Sequence, residues 1–478
     1  MKLEGGDADL TAAAASSLQM ADLTTRGCRP RYGIGPYDQE RHDGFPPTTL
    51  HLVLCLLEWG DFARAEDVLG YYLDACVNGD GSFDYYGPAV AEYGQMLALA
   101  ARYVQLTGDL RWWAARQSVL RAIWGRLLAL RRESLADEDA PPETRGLIAG
   151  LPEADYHGDE EQWREYYFAG DAWACRGLTE MARLLQRTGQ DAEAEAIARE
   201  VEAYEADLAA AIARAKVETD AGIFVAPGPT QRTPFERITQ DRHSSYCNYR
   251  YFAEMVSAGI VDRGTVAEIF AYRRSHGGEL LGMTRFHGHL DDWPVLNYAR
   301  AMLELGEVEH YLLLLYSHLA HHQAAGWLAA YEQVEIMPDE HGLRRSHAGQ
   351  VVPCQVTAPL MLRWALAYEL RDEDVLLLAP AVAHRWIAGD EGLHVTGLPT
   401  RWGRVDFTIR GDADAVEAHL RLPEGFATQV RLRLPTPAGC VPASVQVNGQ
   451  SAENLLTDGC IVALPPGSGG EVTVVATV

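Results

Sequence analysis

Apolar residues follow a helical period over most of the first 370 residues. Strongly apolar segments alternate with segments that have one polar face, such as AEAEAIAREVEAYEADLAAAIARA at 192–215. A turn separates the two kinds of segment, because Gly suits the end of a helix and an acidic residue suits the start of the next. The pattern predicts six helical hairpins. Their turns are Gly60-Asp61, Gly108-Asp109, Gly189-Gln190-Asp191, Gly259 to Asp262, Gly306-Glu307 and Arg371-Asp372.

The apolar segment before each turn is predicted to be an inner helix. The last one, PCQVTAPLMLRWALAYEL, is apolar almost all round, as expected of a helix that is covered on both sides. Six inner and six outer helices in alternation predict a mainly α fold, an (α/α)6 toroid. An open helical array should show more uniform repeats. The predicted inner segments are 48–59, 89–107, 169–188, 244–258, 293–305 and 353–370.

The connections between hairpins are long, whereas the turns within each hairpin are short. In a toroid whose helices alternate in direction, all six long connections emerge on one rim. Long connections in a compact domain are usually functional, and these hold much of the Trp, His, Tyr and Arg of the chain. We therefore expect a functional site on that rim. The long connections are 26–47, 77–88, 131–168, 216–243, 276–292 and 323–352.

The pattern changes near residue 393, where apolar and polar residues begin to alternate between turns rich in Gly, Pro and Asn. VDFTIRG, AVEAHLRLP and EVTVVATV show this alternation. Short alternating runs of this kind predict a small antiparallel β-sandwich. The predicted organisation is an N-terminal extension over 1–29, a catalytic barrel over 30–385 and a β-sandwich accessory domain over 386–478.

Composition and charge exclude several classes of protein. The chain is 47% hydrophobic and 23% charged, which is typical of a globular protein. A formal net charge of −26 repels phosphate backbones and anionic lipid, so we expect no nucleic-acid or membrane partner. No secretory signal is visible, and none of the eight cysteines forms a CxxC pair, so a cytoplasmic location is predicted. A homo-oligomer is possible.

Two of the long connections carry clusters of acidic residues. The third contains Glu153 and Asp155 within GLPEADYHGDEEQWREYY, and the sixth contains Glu332 within GWLAAYEQVEIMPDEHGLRRSH. The third and sixth of six connections face each other across a ring. Glycoside hydrolysis needs two such carboxyl groups, one to protonate the leaving oxygen and one to activate water. Solvated acidic loops are the alternative interpretation in a chain with 67 acidic residues.

The hairpin organisation resembles the six-hairpin glycosidases, the glucoamylase-like group, across the predicted barrel. The segment DGSFDYYGPAVAEYGQMLALAARYVQLTGD at 80–109 and the Glu332-Gln333 pair carry the resemblance. In that family the acid lies on the third connection, and the base, followed by Gln, lies on the sixth. The resemblance therefore implies Glu332 as general base and Glu153 or Asp155 as general acid. GLPEAD stands where the family usually has Trp-Glu-Glu.

The remaining candidate residues could contact a substrate through an aromatic ring or a hydrogen-bonding group, although each aromatic could equally be part of the core. The spacing of His287 and His289 would suit a metal, but no third ligand is fixed by spacing, so no metal and no cofactor are predicted. The candidates are Asp84, Tyr85, His157, Trp163, Tyr167, His243, Tyr246, Arg250, Arg285, His287, Trp293 and Arg344.

The arginines in the long connections bear on the identity of the sugar. An Arg side chain binds a carboxylate through two parallel hydrogen bonds, which favours a terminal uronic acid. The sequence thus predicts an exo-acting, inverting hydrolase similar to helical-barrel β-glucuronidases. A neutral glucosidase is one alternative. The other is a polysaccharide lyase in which His243, Tyr246 and Asn248 carry out β-elimination and release an ultraviolet-absorbing product.

Overall fold

The computed structural model describes residues 1–39, 42–85, 89–151, 163–323, 329–389, 391–438 and 440–478. These residues form a mainly α-helical fold with a β part. The described helices are α1 (Ala8–Leu23), α2 (Pro46–Trp59), α3 (Phe62–Ala75), α4 (Val90–Thr107), α5 (Leu110–Ala136), α6 (Phe168–Arg187), α7 (Asp191–Ala215), α8 (Arg242–Tyr246), α9 (Phe252–Ser257), α10 (Arg263–Ser275), α11 (Val295–Leu305), α12 (Val308–His321), α13 (Val352–Gln355) and α14 (Thr357–Leu366), with a π-helical stretch at Cys247–Tyr251 between α8 and α9.

The turns between paired helices have the chemistry that the sequence predicts. Gly60, Gly108 and Gly306 end their helices in the left-handed conformation, with φ of 83°, 69° and 78°. Glycine adopts this conformation without the steric cost of a Cβ atom. Asp61 and Asp109 then accept hydrogen bonds from backbone N–H groups in the first turn of the next helix. These bonds satisfy donors that have no partner within the helix.

The strongly apolar helices pack against one another in sequence order. Contacts join α2 to α4, α4 to α6, α6 to α9, α9 to α11, α11 to α14, and α14 back to α2. The amphipathic helices α3, α5, α7 and α12 each pack on the helix that precedes them. Apolar surface all round a helix is buried only when neighbours cover it on several sides, and this packing order supplies those neighbours.

The prediction of an outer helix in the sixth hairpin is wrong. Among the described residues no α-helix follows the Arg371-Asp372 turn; strands Ala367–Glu369 and Val375–Leu378 lie on either side of it and pair with each other. The apolar run after the turn is too short for a helix with a polar face, and it pairs in parallel with Gln429–Arg433. Helix α1 packs on α13 and α14 instead. The partner of the last apolar helix therefore comes from the other end of the chain.

The β part consists mainly of two sheets. A seven-stranded sheet has the order β1-β15-β16-β17-β23-β19-β20, and a five-stranded sheet has the order β13-β14-β18-β22-β21. Strand β1 pairs with β15, so the first strand of the segment predicted as an N-terminal extension belongs to the C-terminal sheet. Their strands are β1 (Lys2–Gly5), β13 (Ala367–Glu369), β14 (Val375–Leu378), β15 (Leu393–Thr400), β16 (Gly403–Gly411), β17 (Ala415–Leu422), β18 (Gln429–Arg433), β19 (Ser444–Val447), β20 (Gln450–Ser451), β21 (Leu456–Thr457), β22 (Ile461–Leu464) and β23 (Gly470–Thr477).

The long connections contain strands that the sequence pattern did not predict. A second five-stranded sheet, ordered β12-β11-β10-β9-β8, joins the fifth connection to the sixth. Three two-stranded ladders, β2–β3, β4–β5 and β6–β7, lie in the first, third and fourth connections. The strands are β2 (Thr25–Arg26), β3 (Arg29–Pro30), β4 (Ala149–Gly150), β5 (Glu165–Tyr166), β6 (Lys216–Thr219), β7 (Gly222–Val225), β8 (Glu279–Leu280), β9 (Met283–Phe286), β10 (His289–Asp291), β11 (Tyr331–Glu335) and β12 (Ser346–Gly349).

Two further findings concern the whole described chain. None of its described helices combines the length and the apolar character that a membrane crossing requires. The eight cysteines all carry free thiols. The domain boundaries at residues 30 and 385 stay predictions.

Asp171, in the first turn of α6, is a fully buried carboxyl group. Its Oδ1 accepts hydrogen bonds from the Tyr204 hydroxyl at 2.5 Å and from the Ile148 backbone N–H at 2.8 Å. Burial raises the pKa of Asp171 to about 7, because the charged form loses its contact with water. The folded protein holds a proton that the unfolded chain releases above about pH 4. This carboxyl group therefore makes stability fall as the pH rises from about 4 to about 7.

Asp171→Asn should remove that dependence, because an amide is neutral at every pH. The free energy of unfolding of the variant, minus that of the wild type, should rise by on the order of 2 kcal/mol between about pH 5 and about pH 8. Urea denaturation at the two pH values measures it. Asp67→Asn, on the exposed face of α3, is the control and should follow the wild type. If the free energy of unfolding of Asp171→Asn differed from that of the wild type by the same amount at both pH values, the raised pKa of Asp171 would be contradicted.

Candidate functional site

A concave pocket lies where several long connections meet. The first, fifth and sixth connections line it directly, and two tyrosines join it from the helical segment that follows the fourth. Its volume is about 170 Å³. The described lining residues are Tyr32, His42, Phe45, Tyr246, Tyr249, Phe286, Trp293, Glu332 and Gln333.

Aromatic rings form one wall of the pocket, and Trp293 lies at its centre. The Trp293 ring stacks on Phe45 and Tyr249, with ring centroids 5.9 Å and 6.5 Å apart. Tyr32 lies 6.2 Å from the same ring, and His51 meets it edge-on at 5.7 Å. Aromatic faces offer large, rigid apolar surfaces. Such a wall complements the C–H face of a sugar ring.

Glu332 supplies the carboxyl group among the described lining residues. It lies in β11, in which Val334 is buried and the other four residues are partly exposed. The Tyr32 hydroxyl donates a hydrogen bond to Glu332 Oε2 at 2.9 Å. The backbone N–H of Asp292 donates to the Glu332 carbonyl oxygen at 2.8 Å. Glu332 is thus held by both its backbone and its side chain at the pocket.

Asp291, in the neighbouring strand β10, is fully buried. Its Oδ2 accepts a hydrogen bond from Gln333 Nε2 at 2.9 Å, and its Oδ1 accepts one from the Trp293 backbone N–H at 2.9 Å. Burial, followed by the negative charge of Glu332, raises the pKa of Asp291 well above its usual range. Asp291 therefore favours its protonated form more than an exposed aspartate does.

Asp292 anchors the same strand to the helices beneath it. Its Oδ1 lies 2.9 Å from His318 Nε2 in α12, and its Oδ2 accepts a hydrogen bond from the Thr357 hydroxyl in α14 at 3.0 Å. Burial alone would raise the pKa of Asp292, but His318 brings that pKa below its usual value. Because Asp292 follows Asp291 directly, these contacts fix the position of the buried pair.

The third connection reaches the pocket wall through Trp163. Its ring lies 5.6 Å from Tyr246 and 6.3 Å from His243, and the Arg242 guanidinium lies 5.7 Å from the Trp163 and Tyr246 rings. Trp163 thus packs on Tyr246, which lines the pocket. Three candidates of this connection lie outside the described residues: Glu153, Asp155 and His157.

The structure brings four of the predicted substrate contacts to the pocket or its wall. Trp293 and Tyr246 line it. Trp163 packs on Tyr246, and Tyr85 packs on Phe45 with ring centroids 5.3 Å apart. All four are aromatic and lie in a long connection or within three residues of one, so aromatic residues in and next to the connections were the informative signal.

Arg250 lies behind the aromatic wall and has other partners. Its guanidinium contacts Glu92 and Glu254, each at 3.0 Å, and lies 5.7 Å from the Trp293 ring. The side chains of Arg250, Glu92 and Glu254 are all at least nine-tenths buried. Carboxylates from two neighbouring helices therefore hold this arginine away from the pocket that it was expected to line.

Other predicted contacts also lie outside the described pocket lining. Tyr167 stacks on Tyr251 and donates its hydroxyl to the Trp163 carbonyl oxygen at 2.9 Å. Arg285 donates to the Gly277 carbonyl oxygen at 3.2 Å. The residues in this group are Asp84, Tyr167, His243, Arg285, His287 and Arg344.

Sequence reasoning missed several lining residues. Tyr32, His42 and Phe45 all belong to the first connection, whose rings could have been noticed as a group. Tyr249 and Phe286 were also missed, because their neighbours in sequence were chosen instead. Which of several adjacent rings faces a pocket depends on the local helix and strand geometry, which the sequence does not show.

Comparisons with known proteins identify a likeness of fold. No family model and no curated protein matches the chain. An α-L-rhamnosidase from Dictyoglumus thermophilum has a TM-score of 0.59 and 9% identity, covering 100% of this chain and 50% of its own. The Streptomyces avermitilis α-L-rhamnosidase complexed with L-rhamnose has a TM-score of 0.59 and 13% identity, covering 99% and 42%. A structure described as a glycoside hydrolase has a TM-score of 0.51 and 11% identity, covering 100% and 77%.

These structural neighbours are glycoside hydrolases. At such low identities the likeness concerns the fold alone. The chain spans about half the length of the two rhamnosidases that it matches.

Proposed function

We propose that this chain is a glycoside hydrolase that binds one terminal sugar in the aromatic pocket. The observation that carries the proposal is the Glu332 carboxyl group beside the wall centred on Trp293. We further propose that the helices form an (α/α)6 toroid whose long connections share one rim. The contacts between apolar helices run in order from α2 to α14 and back to α2, which supports that arrangement.

Glu332 acts as the general base of an inverting reaction. It removes a proton from a water molecule while the water oxygen bonds to the anomeric carbon. The glycosidic bond breaks, and its oxygen takes a proton from a general acid. The base must be ionised, and the raised pKa of Asp291 favours the protonated form of that neighbour. The Tyr32 hydroxyl keeps the carboxylate in position.

The general acid comes from the third connection, as Glu153 or Asp155. An inverting mechanism requires about 6.5–9.5 Å between the two carboxyl groups, which leaves room for the water. Trp163 supports this assignment, because it brings the described end of that connection to Tyr246 on the pocket wall.

A neutral sugar fits the described pocket better than a uronic acid does. Uronate recognition would call for a guanidinium or an ammonium group at the sugar carboxylate, and none of the lining residues described above is Arg or Lys. Arg250 is occupied by two buried carboxylates, and Arg344 donates to the Glu335 carbonyl oxygen at 2.6 Å. A terminal uronic acid, as in a β-glucuronidase, is the competing substrate class.

Hydrolysis is also favoured over β-elimination. A lyase would need Asn248 to neutralise charge on its substrate, yet Asn248 is fully buried. Its amide nitrogen donates to the Gly278 and Arg285 carbonyl oxygens at 2.7 Å and 2.8 Å, and its oxygen accepts from Arg273 at 2.8 Å. The Asn248 amide therefore holds the fifth connection in place, and its hydrogen-bonding groups are already engaged within the protein.

A panel of aryl glycosides with one common leaving group tests the proposed substrate class. It should contain glucosides, 6-deoxyhexosides such as rhamnosides, and glucuronides, and the rate of phenol release is measured. We expect the best neutral glycoside to exceed the glucuronides in kcat/KM by at least about tenfold. The reason is that the described lining residues offer no Arg or Lys side chain to pair with the glucuronide carboxylate. Turnover of glucuronides alone would overturn the neutral-sugar assignment. An unsaturated, ultraviolet-absorbing product from a uronate polymer would overturn hydrolysis itself.

A further inference from the structure

Three adjacent strands bring two imidazoles and a carboxylate together beside the pocket. His289 in β10 pairs directly with Glu335 in β11. In the next ladder, His347 in β12 pairs with Gln333, two residues before Glu335. Side chains two residues apart project from the same face of a strand, so all three project from one face of the sheet. One ligand atom of each lies within 4.8 Å of the other two.

The local geometry suits a metal ion with nitrogen and oxygen ligands. His347 Nε2 lies 3.6 Å from a Glu335 carboxylate oxygen, and the His289 and His347 rings are 5.2 Å apart and nearly perpendicular. Metal–ligand bonds of about 2.1 Å in a tetrahedron separate the ligand atoms by roughly 3.4 Å. Small side-chain rotations are therefore enough to close the set around an ion.

The surroundings of His289 suit a metal ligand as well. A backbone hydrogen bond to Phe286 holds its ring, and metal-binding histidines commonly have their second ring nitrogen fixed in this way.

We propose that His289, Glu335 and His347 form a binding site for a divalent transition-metal ion of the zinc type. Two imidazoles and one carboxylate are the protein ligands of known three-ligand zinc sites, in which water completes the tetrahedron. Imidazole ligands also discriminate against Ca²⁺ and Mg²⁺, which bind oxygen atoms. The proposal stands on these three strands alone and does not depend on the proposed hydrolase activity.

The place of the site in the sheet indicates what the ion would do. Asp291 and Gln333 form the pair next to His289 and Glu335 on the same two strands, about 7 Å along them. An ion bound by all three side chains would link β10, β11 and β12. Such an ion would stabilise the strands that carry Glu332 and Asp291.

The sequence alone did not identify this ligand set. His287 and His289 looked like a pair, but His287 is exposed, with a φ of 51°, and its Nδ1 lies 3.5 Å from the Ser245 hydroxyl. The partners of His289 lie 46 and 58 residues further along the chain. They meet it only because the strands pair in this register.

Calorimetric titration of the full chain with Zn²⁺ tests the proposal. The protein should carry no histidine tag and should first be treated with a chelator. We expect one Zn²⁺ per chain and no heat with Mg²⁺. His289→Ala and His347→Ala should each weaken Zn²⁺ binding by at least on the order of 10²-fold. His341→Ala is the matched control, because His341 is 74% exposed and lies in the same hairpin; it should bind Zn²⁺ like the wild type.

Thermal unfolding gives a second measurement. Zn²⁺ should raise the Tm of the wild type and of His341→Ala, because an ion that binds only the folded state stabilises it. It should leave the Tm of His289→Ala and His347→Ala unchanged, and the metal-free variants should keep the wild-type circular dichroism. Absence of Zn²⁺ binding by the wild type, or equal affinity in His289→Ala, would overturn the proposal.

Discussion

Glu332→Gln should lower kcat by on the order of 10²-fold or more on every glycoside that the wild type hydrolyses. The amide has nearly the same shape as the carboxylate, and its oxygen can still accept the hydrogen bond that the Tyr32 hydroxyl donates. It cannot take a proton from water, so the loss should appear in kcat and not in KM. Steady-state kinetics on the aryl glycoside panel measures both constants.

The control for this variant is Glu340→Gln. Its side chain is 87% exposed and lies in the connection between β11 and β12, so the same chemical change should leave kcat unaltered there. The circular dichroism and the Tm of Glu332→Gln should match the wild type. A correctly folded Glu332→Gln with near wild-type kcat would show that another group activates the water.

Arg250→Met should lower the free energy of unfolding by about 3–5 kcal/mol, because it leaves Glu92 and Glu254 buried without the guanidinium that they share. Side-chain exposure is 3% for Arg250, 1% for Glu92 and 6% for Glu254, so water cannot replace the lost contact. Urea denaturation measures the loss.

A compensated variant separates this effect from loss of packing. Arg250→Met combined with Glu92→Gln and Glu254→Gln removes all three charges together, and it should recover much of the lost stability. The opposite pattern would be little change in stability with a large rise in KM for glucuronides alone. That pattern would show that Arg250 contacts the substrate, as the sequence predicts.

The helical part of the fold was largely predictable, because it depends on local signals. Gly60 and Asp61 mark a helix end and a helix start through backbone conformation and capping, which involve only neighbouring residues. The sixth hairpin failed because the partner of α14 is α1, from the opposite end of the chain. No local pattern reports a contact over that distance.

The candidate site was predictable only in part, for the same reason. Glu332 was found from its place in the sixth long connection, and Trp293 was found as an aromatic residue that directly follows the fifth. The role of Asp291 depends on the pairing of β10 with β11, which buries it beside Glu332. Arg250 looked like a substrate contact because Glu92, 158 residues earlier, is its neighbour only in the folded chain.

Azide provides the most direct measurement of whether Glu332 activates the attacking water. Azide is already an anion, so it needs no base, and it can occupy the position of the water beside Gln at residue 332. In Glu332→Gln acting on an activated aryl glycoside, azide should restore the rate at least about tenfold. Nuclear magnetic resonance should then show a glycosyl azide whose anomeric configuration is opposite to that of the substrate. No recovery of rate, or a glycosyl azide of retained configuration, would contradict Glu332 as the base of an inverting glycoside hydrolase.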